Sequence, residues 1–149
     1  METELDRRLG LGHTGQASLL VTVKAGPVEK GRNAVRLQRA LPQGLDASGY
    51  EGVQFWIKPV AGATELKCCL HLPRGVRYRT SVEFAQQDEG QWTFVRIPFR
   101  RFQWDFESAK TGAQTPDRKS LAAISLWLSS TKPGETVFYL DDLGLYREK

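Results

Sequence analysis

"ELKCCLHLPRGVRYRTSVEF", residues 65–84, alternates apolar and polar side chains on both sides of a turn. Leu66, Cys68, Leu70 and Leu72 share one face of the first run, while Lys67, Cys69 and His71 share the other. Pro73, Arg74 and Gly75 turn the chain. Val76, Tyr78, Thr80 and Val82 then alternate with Arg77, Arg79, Ser81 and Glu83. A period of two sustained over both runs predicts two β-strands, each with one dry and one wet face.

The same period extends outward in both directions. Towards the N-terminus, residues 53–59 put Val53, Phe55 and Ile57 on one face and Trp56 on the other, and residues 34–41 and 18–25 read as further strands. Towards the C-terminus, residues 91–99 align Thr93, Val95 and Ile97, with Pro98 expected to end the strand or lie on an edge. Residues 121–130 turn Ile124, Leu126 and Leu128 inward and Trp127 outward between Ser125 and Ser129, and 136–146 close the chain. Gly-, Pro- and Asp-rich breaks separate these runs. The longest break, 100–120, is expected to hold a short helical turn near Phe102. About eight short strands without an amphipathic helix predict an all-β fold, an antiparallel β-sandwich or jelly roll. A single domain is expected over 1–149, with its core at roughly 18–146.

The totals suit this. A chain of 149 residues with 40% apolar and 26% charged residues can bury a full core. The net charge of +4 favours approach to an anionic partner without naming one. The charge and the aromatic–arginine mix leave nucleic-acid binding as a third reading, behind the two below, and nucleic acid is not an expected partner. No apolar run approaches the ~20 residues of a membrane-spanning helix, so no membrane partner is expected either. "METELDRRLG" is not a secretory signal, which fits a cytosolic protein or a segment of a longer secreted one. Cys68 and Cys69 are adjacent and point to opposite faces of a strand, so no disulfide joins them. Cys68 reads as a small core residue.

Three segments in order carry a family resemblance: "SGYEGVQFWIKP" (48–59), "QWTFVRIPFRRF" (91–102) and "VFYLDDLGLY" (137–146). Together they resemble the non-catalytic carbohydrate-binding modules with a galactose-binding-like jelly roll. Tyr78, Arg79, Thr80, Trp92, Ile97, Pro98 and Phe99 also resemble the complex I intermediate-associated protein family. The first resemblance implies a poly- or oligosaccharide ligand, a parent glycoside hydrolase, and an extracellular setting within a larger secreted protein. It assigns Phe99 and Phe102 to sealing one end of the sandwich, Trp92 to a shelf at a strand start and Trp56 to packing under a loop. It also implies a structural calcium, held by Asp141 of the last strand with Glu4 and Asp6 near the N-terminus. The second resemblance implies a protein-interaction or assembly domain of the same fold.

Sugars are recognised by aromatic rings beneath their C–H faces and by fixed polar groups at their hydroxyls. Alternation lists the outward residues that offer both, with Trp127 foremost; it needs a ligand or a covering segment over it. Arg77, Arg79 and Arg96 are expected to cluster by pairing of 76–84 with 91–97. Their like charges would call for a carboxylate such as Glu83, or for an anionic ligand. His71 shares the face, and Trp104 lies in the long loop where binding residues often sit. Catalysis is not expected: His13 and His71 belong to no triad or metal pattern, and no nucleophile elbow or phosphate loop occurs.

Overall fold

The structure, a computed structural model, describes residues 2–9, 17–25, 33–61, 65–83, 90–105, 115–130 and 134–147; side chains are described within 36–59, 66–83, 90–105, 115–127 and 137–147. Ten strands form two five-stranded antiparallel sheets. They are β1 (Glu2–Leu9), β2 (Ala17–Ala25), β3 (Asn33–Ala40), β4 (Gly52–Ala61), β5 (Glu65–His71), β6 (Arg77–Glu83), β7 (Thr93–Pro98), β8 (Gln103–Trp104), β9 (Ala123–Ser130) and β10 (Gly134–Tyr146). The first sheet has the order β1-β2-β10-β4-β7 and the second β3-β9-β5-β6-β8. The chain crosses between sheets at β2–β3, β3–β4, β4–β5, β6–β7, β7–β8 and β9–β10, as a jelly roll requires.

The alternation that marks the strands also builds the core. Val53, Phe55 and Ile57 of β4 face Leu66, Cys68 and Leu70 of β5, with Ile124 and Leu126 of β9 and Phe138 of β10 completing the layer; all are buried. Phe99 and Phe102 bracket a single 3-10 turn, Phe99–Arg101, and both rings are buried with centroids 6.4 Å apart. They join the core cluster, as expected, and the turn lies where a helical turn was expected.

Two strands escape the alternation reading. β1, "ETELDRRL", pairs along its whole length with β2. β8 is only two residues long and pairs with Tyr78 and Arg79 of β6. One pairing is corrected. β6 lies between β5 and β8, whereas β7 pairs with β4 in the other sheet. β6 and β7 thus belong to different sheets and form no hairpin.

Pro98 ends β7, an edge strand, where its missing N–H costs nothing. Opposite it lies Gly52, and a Cβ there would sit 2.1 Å from the Ile97 carbonyl oxygen. Close contact between these strands therefore depends on glycine. β10 bulges between Asp141 and Gly144, where Asp142 adopts φ +54° and donates its N–H to Asp141 Oδ1 at 3.0 Å. Aspartate tolerates this left-handed conformation better than most residues. Among the described residues no helix is long and apolar enough to cross a membrane.

Candidate functional site

The outer face of the second sheet is ordered by register. Arg36, Trp127, Lys67 and Ser81 form one row across β3, β9, β5 and β6. Gln38, Ser125, Cys69, Arg79 and Gln103 form the next, and Ala123, His71 and Arg77 a third. Alternation placed Trp127, Ser125, Lys67, Cys69, His71, Arg77, Arg79 and Ser81 together, and the register brings them onto this one face.

Its middle is closed rather than wet. Ser125 and Cys69 point outward yet are buried. Arg77 rises from β6 and holds its guanidinium 4.9 Å from the centre of the Trp127 indole on β9, so its side chain spans β5 between them. Arg36 approaches the same indole from the other side of β9, at 5.6 Å. Both contacts fall within cation–π range. The Trp127 N–H donates to Ser125 Oγ at 2.6 Å, and that oxygen lies 2.6 Å from His71 Nε2. Since Ser125 Oγ already accepts the indole proton, its own hydrogen is available to Nε2. Burial and the charges of Arg36 and Arg77 lower the His71 pKa, which favours the neutral ring that accepts.

Arg77 finds its carboxylate in Asp105, not in Glu83. Its Nε–H donates to Asp105 Oδ2 at 2.8 Å, an Nη–H donates to the same oxygen, and Asp105 N–H donates to the Arg77 carbonyl at 2.9 Å. Asp105 is fully buried. The sequence marks it only as a member of the long loop; its burial comes from β8, which seats the start of that loop beside β6.

Beside this cluster a groove of about 690 Å³ opens, lined by Lys67, Arg79, Ser81, Arg100, Arg101 and Gln103 among others. Lys67 is the register neighbour of Trp127, so groove and indole adjoin. Arg100 and Arg101 were missed as site residues. The signal for them is "FRRF": two arginines between two end-sealing phenylalanines on a single turn have only solvent to enter.

Two expected members lie elsewhere. Arg96 is on the outer face of the first sheet, stacked over Tyr146 at 4.4 Å and donating to Gln54 Oε1 at 3.2 Å. The reason is the topology: β7 belongs to the other sheet. Trp104 pairs opposite the core-facing Tyr78 and packs against the core, with Nε1 buried and no hydrogen-bond partner among the described residues. The remaining aromatics of residues 89–104 also divide. Phe94 is exposed and stacks on Trp56 at 4.7 Å, and Trp92 lies 6.4 Å from Tyr139, all on the first sheet.

For calcium, Glu4 and Asp6 belong to β1 and Asp141 to β10, with β2 lying between the two strands. The strands bearing the acids are thus about 9.6 Å apart. Asp141 Oδ1 accepts the next amide. The side chains of Glu4 and Asp6 lie outside the described residues. Among the described residues no three His, Cys, Asp or Glu side chains gather in a metal-binding group.

No protein-family model matches the sequence, and comparison with curated proteins returns no match. Solved structures do match. A family 11 carbohydrate-binding module from Clostridium thermocellum, in complex with a β-1,3-1,4-mixed-linked tetrasaccharide, is similar with TM-score 0.70 and 20% identity over 99% of this chain and 85% of that one. The chain has the jelly-roll fold of carbohydrate-binding modules. The family 30 module of a cellulosomal cellulase from Clostridium thermocellum gives TM-score 0.63 and 18% identity over 97% and 83% of the two chains. An exo-β-agarase gives TM-score 0.65 and 12% identity over 100% of this chain and 23% of its own. The fold expected from the ordered motifs is therefore the fold found.

Proposed function

We propose that this jelly roll is a non-catalytic carbohydrate-binding module that takes poly- or oligosaccharide on the outer face of its second sheet. The observation that carries the reading is the groove beside Trp127, with Arg77 fixed over the indole by Asp105. Fixed guanidinium and hydroxyl groups beside an aromatic edge are what hydroxyl-rich chains require, and they need no nucleophile. The shared fold with a module solved around a tetrasaccharide supports the same reading.

Ser125 and His71 superficially resemble a nucleophile and its base. Ser125 is fully buried and its oxygen already accepts the indole N–H, so it offers no attacking group. The match to about a quarter of an agarase supports a parent glycan-active enzyme, with this module delivering it to its substrate.

A glycan array run with wild type and Arg77→Ala tests the proposal. The expected result is a family of related glycans bound by wild type and weakened in the variant; a blank array for wild type removes the reading. A second reading, a protein-interaction domain, is favoured by the exposed Phe94 on Trp56. Sedimentation at two concentrations, with Phe94→Ser beside wild type, separates the two: association that the variant abolishes would favour assembly.

A further inference from the structure

We infer that the bound polysaccharide is acidic, and that Lys67, Arg79, Arg100 and Arg101 hold its carboxylate or sulfate groups; the inference rests on the glycan-binding reading above. These four cations line one groove of about 690 Å³, and among the described residues no carboxylate lines it with them. A neutral glycan does not require such a concentration of charge.

The contrast with other arginines of the chain is informative. Arg77 is paired with Asp105, Arg118 donates to the carbonyls of Ser48 and Tyr50, and Arg96 donates to Gln54. Among the described residues, Lys67, Arg79, Arg100 and Arg101 have no carboxylate partner. Glu83 lines the adjoining crevice of about 240 Å³, which Arg101 also borders. Like charges gathered without a counter-charge disfavour the folded state. An anionic ligand relieves that repulsion, and guanidinium groups present paired donors that match carboxylate and sulfate oxygens.

The groove is also held in place. Arg100 and Arg101 project from one turn whose flanking residues, Phe99 and Phe102, are buried in the core. Arg79 lies opposite Gln103 and Lys67 opposite Ser81, so each strand cation has a neutral polar neighbour able to meet a sugar hydroxyl. Two cations on a sheet and two on a fixed turn together line one track for a chain charged at repeating intervals.

The test is affinity electrophoresis in gels containing polygalacturonate, its fully methyl-esterified form, a sulfated galactan, or agarose, with single-stranded DNA as a competing polyanion. The expected result is retardation by one acidic polymer, with affinity at least about tenfold above that for its neutral counterpart. Which acidic polymer retards the protein separates carboxylate from sulfate recognition. Arg100→Gln/Arg101→Gln, both at exposed positions, should remove that preference and leave the melting temperature unchanged. Equal binding to acidic and neutral forms, or a double variant that keeps the preference, overturns the inference and leaves the glycan reading standing. Competition by DNA at equal charge reduces the groove to general polyanion attraction and also overturns it. No retardation in any gel overturns both.

Discussion

Arg77 donates two N–H groups to one carboxylate oxygen of Asp105, 28 residues further along the chain. The carboxylate is fully buried, while the arginine side chain keeps 24% of its surface exposed. Removing the arginine strands a buried negative charge; removing the aspartate frees an arginine that retains some water. The two deletions are therefore unequal. Arg77→Met should cost about 3 kcal/mol and Asp105→Asn about 1–2 kcal/mol by chemical denaturation. The double variant should cost clearly less than the sum. Additive losses would show that the pair is not a coupled unit.

Gly52 bears on stability rather than on ligand binding. A Cβ at this position would meet the Ile97 carbonyl oxygen at 2.1 Å and Pro98 Cα at 2.8 Å, both backbone atoms that cannot swing aside. Gly52→Ala should destabilise by about 3 kcal/mol through loss of close β4–β7 contact. Gly144→Ala, where a Cβ meets nothing within 4 Å, is the control and should change stability by less than about 1 kcal/mol. Similar melting temperatures for the two variants would refute this.

His71 gives a pH dependence with a fixed sign. Burial, then the charges of Arg36 and Arg77, lower its pKa below the ordinary 6.5. The unfolded chain therefore takes up the proton first as pH falls. The His71 contribution to stability is complete above pH 6.5 and is lost as pH drops through the lowered value. Melting curves at pH 7.5, 6.5 and 5.5 should show wild type losing more than His71→Gln over the acidic half of that range. Parallel losses would mean that the histidine titrates alike in both states.

Both cysteines should be silent in the native protein. Cys68 sits in the core and Cys69 under the outer-face side chains, and burial raises the pKa of each thiol, with Cys69 adding to the rise at Cys68. A thiol reagent at pH 8 should label neither within minutes, yet label both at once in denaturant. Fast labelling of Cys69 alone would mean that Arg77 and Trp127 do not keep the face closed.

Most of the architecture was legible because period-two alternation survives wherever a strand has one dry face, as in Leu66, Cys68 and Leu70 or Val53, Phe55 and Ile57. β1 was not, because only Leu5 and Leu9 are apolar among its eight residues. Strand partners were also beyond reach. Alternation says which way a side chain points but not which strand lies alongside, and that is why Arg96 was grouped with Arg77 and Arg79. The same limit hid the role of Asp105, whose importance depends on what β8 brings it against. Trp104 misled for a related reason: a tryptophan in an apparent loop became a core-facing residue once two loop residues paired as a strand.

The position of β10 between β2 and β4 has a consequence for how the chain reaches this state. Leu19 cannot meet Leu140, nor Val21 meet Phe138, until synthesis has passed residue 140. Closing such distant pairs must be paid for in chain entropy before any packing repays it, which places folding on a scale of milliseconds to seconds. During synthesis the β1–β2 pair waits with one flank unsatisfied, open to the same segment of a neighbouring nascent chain. The last strand to emerge is thus the one that removes the earliest opportunity for aggregation.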